Sequence, residues 1–121
     1  MVIQHQDELT RFIRPKQKDF VTKDGQVRTA AFSIDDTGSI SVFVTSSMLL
    51  NEIWVHGDTY FPHPIIGRAY FQANIVFDER LSIDFDNDPP RHANITGFPS
   101  DKDSRLARRQ ALAANAYFNE R

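Results

Sequence analysis

The 121-residue chain has no cysteine. Without a thiol it cannot use thiol catalysis, bind zinc through cysteines or fold around disulfides, and this composition fits a reducing cytosol. Long apolar runs are also missing, so nothing predicts a membrane-spanning segment. The first residues, MVIQHQDELT, carry polar and acidic side chains where a signal peptide would be apolar. We therefore expect a cytoplasmic protein with no membrane contact.

The chain also lacks a strong charge of either sign. Its 14 Lys and Arg and 16 Asp and Glu give a formal net charge of −2, which does not favour non-specific binding to nucleic acid. No glycine-rich phosphate loop, serine nucleophile elbow or ribonucleoprotein signature occurs. Arg105, Arg108 and Arg109 keep nucleic-acid binding as an alternative, although a solvated helix face is the default interpretation. We predict no cofactor and no metal ion.

The residues that are present indicate one α+β domain spanning residues 1–121. Ten phenylalanines against five glycines favour an aromatic, sheet-rich core. A short strand or a single helical turn is expected over Leu9 to Ile13. Apolar and polar residues alternate, and so predict strands, over residues 28–35, 39–46, 68–77, 81–86 and 92–97.

Two helices complete the predicted fold. Residues 46–57 favour a helix that a serine caps and Gly57 ends. The second begins after Ser100, a suitable N-cap with Asp103 three residues later, and its apolar stripe continues to Phe118. The predicted fold is a small antiparallel sheet of about four to five strands, with a middle helix and a long C-terminal helix packed on one face.

The segment SIDFDNDPPRHANITGFP holds the first candidate site. If residues 81–86 pair with 92–97, Asp86 and His92 lie side by side, with Asp84 and Asn94 on the same sheet face. A carboxylate beside an imidazole holds its tautomer and raises its basicity, as in a general base or a weak divalent-metal site. The same alternation is also typical of the solvated face of a half-buried sheet. A register slip of one residue would turn His92 towards the core.

Two further groups of residues are candidates for ligand binding. His56 and His63 lie near aromatic residues in VHGDTYFPHP, where they could line a pocket, but their spacing matches no metal motif. The alternative is a loop packed by its aromatic residues, with the histidines exposed. Arg11 and Arg14 suit the recognition of phosphate or carboxylate.

Three short motifs, in this order, resemble those of a group of small, uncharacterised bacterial proteins. They are an Arg-x-Ile-x-Pro start at residues 11–15, an Ala-Phe strand at residues 31–32 and a His-Ala-x-Ile-x-Gly-x-Pro strand at residues 92–99. The resemblance implies a cytoplasmic α+β domain and a component of a multi-gene system, including prokaryotic conflict or defence systems. It brings no catalytic residues with it.

Two hypotheses of function follow. The first is a non-enzymatic module that docks on a protein partner, because no catalytic motif reaches the usual specificity and aromatic residues, which interfaces favour, form 12% of the chain. The second is a hydrolase- or transferase-like enzyme acting on a phosphate-bearing or nucleotide substrate, with His92 and Asp86 as the base and Arg11 or Arg14 neutralising the anion. Self-association into a homo-oligomer stays open in both. The aromatic residues considered for an interface are Tyr60, Phe61, Tyr70, Tyr117 and Phe118.

Overall fold

Six strands form one sheet in the computed structural model, which describes residues 1–121. The strand order is β4-β5-β2-β1-β3-β6, and every neighbouring pair is antiparallel. The predicted α+β class with an antiparallel sheet is confirmed, and the sheet has more strands than the sequence predicted. The strands are β1 (Glu8–Ile13), β2 (Ile40–Val44), β3 (Gly67–Gln72), β4 (Ser82–Asp84), β5 (His92–Thr96) and β6 (Tyr117–Glu120).

Three α-helices and two short 3-10 helices connect the strands. None of the helices is long and apolar enough to cross a membrane. The 3-10 helices span Pro15–Phe20 and Thr29–Phe32, and the α-helices are α1 (Leu50–Tyr60), α2 (Ala73–Asp78) and α3 (Lys102–Ala114).

The centre of the sheet is buried on both faces. Leu9 and Ile13 of β1 belong to the main core of 17 buried residues, which also includes Leu112 of α3. Phe12, which points to the opposite face of β1, belongs to a second buried cluster that includes Ile53 of α1. Helices α3 and α1 therefore cover opposite faces of the sheet.

The predicted strand over residues 68–77 is wrong in its second half, because β3 ends at Gln72 and α2 begins at Ala73. Apolar residues occupy so many positions in ANIVFD that the segment fits both a strand and a helix period. Ala73 and Val76, three residues apart, are both fully buried, as one side of a helix requires. Tertiary packing therefore decided between the two periods.

The predicted strand over residues 28–35 is also wrong, because Thr29–Phe32 is a 3-10 helix. Ala31 and Phe32 are adjacent in sequence and both buried in the main core. A strand would send adjacent side chains to opposite faces, so only a turn-like backbone can bury both on one side.

Both α-helices that the sequence predicted are present, with different bounds. Helix α1 begins at Leu50, where Glu52 accepts a hydrogen bond of 2.8 Å from the Leu49 amide, instead of at a serine cap. Gly57 does not end this helix but lies inside it, and a Cβ there would come within 2.9 Å of the Phe12 ring. Its glycine therefore allows the helix to approach the sheet closely.

The C-terminal helix is shorter than predicted. Asp101, and not Ser100, caps α3 by accepting a hydrogen bond of 2.8 Å from the Ser104 amide. The helix ends at Ala114, and Tyr117 and Phe118 form β6, where Phe118 is paired with Ala69. Pairing with β3 therefore overrides the helical spacing of these aromatic residues.

A buried guanidinium ties the central strands together. Arg68 of β3 donates hydrogen bonds of 2.9 Å to Glu8, Thr10 and Asn119, and its side chain is only 7% exposed. It also stacks on the Tyr70 ring at 4.1 Å. Thr45, the residue after β2, donates to the same Glu8 oxygen and contacts the Thr10 hydroxyl. Strands β1, β3 and β6 and the end of β2 thus meet in one hydrogen-bonded network, which we call the Arg68 network.

We expect Glu8→Leu to lower the free energy of unfolding by about 3 kcal/mol, because it leaves the Arg68 charge buried without its carboxylate. The double variant Glu8→Leu/Arg68→Met should recover much of that loss, since apolar residues can replace a buried ion pair. Urea denaturation measures both, and Glu120→Leu, a change of an exposed carboxylate on β6, should have little effect. A double variant no more stable than the single one would contradict this account.

Candidate functional site

Asp86 and His92 meet beside the turn that joins β4 to β5. Strand β4 pairs with β5 in the register Ser82↔Thr96 and Asp84↔Asn94, which is the register that the sequence analysis assumed. Beyond the end of β4 the same register brings the Asp86 carboxylate to 2.7 Å from Nδ1 of His92. The other Asp86 oxygen accepts a hydrogen bond of 3.0 Å from the side-chain amide of Asn94. Asp84 is exposed and its backbone lies opposite Asn94.

This arrangement leaves Nε2 of His92 as the ring nitrogen not held by Asp86. The imidazole packs edge-on against Phe43, with ring centroids 5.5 Å apart, and its side chain is 13% exposed. Burial acts to raise the pKa of Asp86, but hydrogen bonds from His92, from the Asp88 amide and from Asn94 outweigh it and hold that pKa below 3.8. An ionised carboxylate that orients an imidazole is the geometry of a general base.

His56 of α1 also packs against the Phe43 ring. Its imidazole is 5.1 Å from the Phe43 centroid and 4.7 Å from that of Tyr60. Burial lowers the pKa of His56 below 6.5; the Pro90 carbonyl partly raises it again, and the positive charge of Arg91 lowers it further. Its Nε2 is buried and has no hydrogen-bond partner. Of the two histidines that the sequence analysis singled out, His56 is therefore a residue of α1 that packs against Phe43.

Arg11 does not lie beside His92. Its side chain emerges on the face of β1 that carries Leu9 and Ile13, whereas His92 lies on the opposite face of the sheet. The Arg11 guanidinium donates to the carbonyls of Ala31 at 3.0 Å and Ser41 at 2.8 Å. Burial, with a further contribution from the charge of Arg14, lowers the pKa of Arg11 to about 10.

Arg14 and His63 do come together, although the sequence separates them by almost fifty positions. They line a cleft of about 180 Å³ with Pro15, Lys16 and Pro64. This cleft lies at the far end of β1, after Ile13, and His92 is not among its lining residues. The candidate binding residues therefore fall into separate groups and do not form one pocket.

A second cleft, larger than the one beside Arg14, was missed by the sequence analysis. It has a volume of about 720 Å³, and hydroxyl, amide and carboxylate side chains line it, among them Asp7, Glu8 and Thr45. The Glu8 carboxylate joins this cleft to the Arg68 network. Asn74 also lines the cleft, and its side-chain oxygen is buried without a partner. The alternation of Glu8 and Thr10 with the apolar Leu9 could have signalled a polar stretch of one sheet face, but no local pattern pairs Glu8 with Arg68.

No family model, curated protein or solved structure matches the chain. The structure also contains no group of three or more His, Asp and Glu side chains placed to hold a metal ion. The resemblance of the three short motifs to small bacterial proteins therefore stays a prediction. Any assignment of function depends on the geometry of the groups described above.

The lowered pKa of His56 predicts how the free energy of unfolding depends on pH. Because the unfolded chain binds a proton near pH 6.5 and the folded protein resists it, the free energy of unfolding should fall as the pH drops below 6.5. We expect His56→Phe to make this acid-side fall smaller, as measured by urea denaturation at about pH 7 and about pH 5. Asn51→Phe, a change at an exposed and non-titrating position of α1, is the control and should leave the fall unchanged. Equal falls in the wild type and His56→Phe would refute the assignment.

Proposed function

We propose that the protein is a protein-interaction module that docks a partner on the exposed surface of α1. The observation that carries this proposal is a group of apolar side chains that α1 and its first turn leave in solvent. Leu49 is 67% exposed, Leu50 46%, Val55 62% and Tyr60 39%. Half of the large hydrophobic residues that are exposed in this protein lie in this short segment. We call these four residues the α1 patch.

The rest of the chain leaves these four residues exposed, so they are available to a partner. Ile53 and Gly57 of α1 are already buried against the sheet. Several exposed apolar residues in one short segment favour association, whereas single exposed apolar residues are ordinary. Of the aromatic residues considered for an interface, Tyr60 contributes to this patch, and Tyr117 is exposed on the edge strand β6.

Charge indicates what kind of partner fits. The chain has no lysine or arginine between Thr29 and Gly67, and the charged residues of α1 are Glu52 and Asp58. Asp58 is paired with Arg121 at 2.6 Å, which leaves Glu52 as the charged residue of α1 without an ion-pair partner. The complementary partner therefore presents apolar side chains with a basic rim. A second copy of this chain is another candidate, and a cytoplasmic multi-gene conflict or defence system is the proposed context.

We expect Val55→Glu to abolish partner binding, because it places a charge on the side of α1 that points away from the buried Ile53 and Gly57. The tagged protein is purified from its native host at moderate salt, and co-purifying proteins are quantified by mass spectrometry. A stoichiometric partner should be lost in Val55→Glu and retained in Leu106→Glu, which changes an exposed apolar residue of α3. A wild-type protein without a partner, or a partner that Val55→Glu retains, would refute the proposal.

A second candidate function is a hydrolase- or transferase-like activity on a phosphate-bearing or nucleotide substrate. The specific observation in its favour is the 2.7 Å contact of Asp86 with Nδ1 of His92. Nε2 of His92 would accept the proton of a hydroxyl or water nucleophile, and the resulting imidazolium would be stabilised by the ionised Asp86. A role for Arg11 is not retained, because its guanidinium is used on the opposite sheet face.

A screen of nucleotides and phosphate monoesters tests this activity. We expect His92→Gln to lower kcat by roughly 100-fold or more, the usual contribution of a general base. Asp86→Asn should also lower kcat, because it removes the charge that orients the ring. Asp36→Asn, at an exposed position in a turn, should keep full activity. An empty screen, or turnover that survives His92→Gln, would rule out the enzyme.

A further inference from the structure

Strand β6 forms an open edge of the sheet. It lies at one end of the strand order and pairs with β3 alone. The Arg121 amide donates to the Ile66 carbonyl at 2.9 Å in the register of this pair, so the backbone groups of Asn119, two positions earlier, also point towards β3. The N–H and C=O groups of Phe118 and Glu120 alternate with these and therefore point away from the sheet. No turn, loop or cap hydrogen bond of the backbone uses any of these outward groups.

The opposite edge of the sheet, β4, has the features by which proteins block strand pairing. It contains three residues, Asp84 within it is exposed, and Pro89 and Pro90 lie in the turn that follows. Short length, charge and proline all disfavour the addition of a further strand. Strand β6 is longer, with the sequence Tyr-Phe-Asn-Glu, one charged residue and no proline. Of the two edges, β6 is therefore the one that offers unpaired backbone donors and acceptors to another strand.

Side-chain contacts hold β6 in its extended conformation before a partner binds. Just beyond the strand, Arg121 donates hydrogen bonds of 2.6 and 2.7 Å to the two carboxylate oxygens of Asp58. Within the strand, the Phe118 ring packs over Gly67, where an added Cβ would come within 2.6 Å of the ring. Because the strand is ordered on both sides of its outward groups, pairing with a second strand requires little further ordering of the backbone.

The residues of β6 fit an antiparallel copy of the same strand. In the alignment centred on Asn119, Phe118 of one copy lies opposite Glu120 of the other. Their outward backbone groups can then exchange both hydrogen bonds. No carboxylate faces a carboxylate directly in this alignment, and Tyr117, which is 67% exposed, lies opposite the cation Arg121.

The two neighbouring alignments fit less well. With Glu120 opposite Glu120, like charges would face each other directly, which is destabilising. With Phe118 opposite Phe118, Glu120 would have to pair with Ala116, whose amide already donates to the Ala113 carbonyl at 3.3 Å in a turn. The alignment centred on Asn119 is therefore the one that the strand favours.

We propose that two copies of the protein associate through β6, in antiparallel pairing about a two-fold axis at Asn119, and form one sheet that runs through both copies. Because each copy presents the same edge, the surface is complementary to itself and the assembly closes as a dimer. The interface is separate from the α1 patch, since β6 contains none of the residues of that patch. The dimer therefore adds to the proposed partner-binding function and does not depend on it.

Sedimentation velocity of the purified protein over a range of concentrations tests the association, and we expect a monomer–dimer equilibrium. Glu120→Pro removes an outward N–H without removing a bond to β3, so it should weaken the dimer by about tenfold or more. Glu120→Ala keeps this N–H and should still dimerise, and a circular dichroism spectrum like that of the wild type checks that both variants fold. A wild type that stays monomeric, or a dimer that Glu120→Pro retains at the wild-type affinity, would overturn the proposal.

Amide hydrogen exchange locates the interface without a substitution. We expect the amides of Phe118 and Glu120 to exchange slowly in concentrated protein and rapidly after dilution, because only the dimer bonds them. The Asn119 amide, which points towards β3, should be protected at both concentrations. Val55→Glu, in the α1 patch, should leave the dimer intact. Rapid exchange of Phe118 and Glu120 in a dimeric sample, or a dimer lost in Val55→Glu and kept in Glu120→Pro, would contradict an interface at β6.

Discussion

The buried guanidinium of Arg68 is the interaction on which the centre of the sheet depends. A charge that is 7% exposed is tolerated only with its carboxylate and its hydrogen-bond acceptors in place. Those partners come from different strands, Glu8 and Thr10 from β1 and Asn119 from β6. A change in strand register would leave the charge unpaired, so the network selects one alignment of β1, β3 and β6.

The sheet face that carries the Arg68 network is only partly covered. The main core packs on the opposite face, whereas α1 covers the region around Phe12 and Phe43. Outside α1 the same face includes the polar cleft around Glu8 and the side chains of His92 and Asn94. Each exposed part has its own chemistry because a single short helix cannot cover a six-stranded sheet.

Predictions held where they depended on local geometry. The β4–β5 hairpin is set by strand alternation and a short proline-containing turn, so the contact of Asp86 with His92 follows from counting residues. Predictions failed where an apolar segment fits two periods. Residues 73–78 became a helix and Tyr117–Glu120 became a strand, because the neighbouring elements offered a better way to bury Val76 and Phe118.

Local sequence patterns were sufficient to predict the α+β class, the antiparallel hairpin with its Asp86–His92 pair, and helices near residues 50 and 105. These patterns are shorter than about twenty residues, and within them the residue spacing fixes the side to which each side chain points. Long-range packing, in contrast, brings Arg68 to Glu8 and Arg14 to His63, and it turns Arg11 away from His92. Such contacts join residues many positions apart, and the packing of both sheet faces selects them, since no local pattern records which distant strand lies alongside.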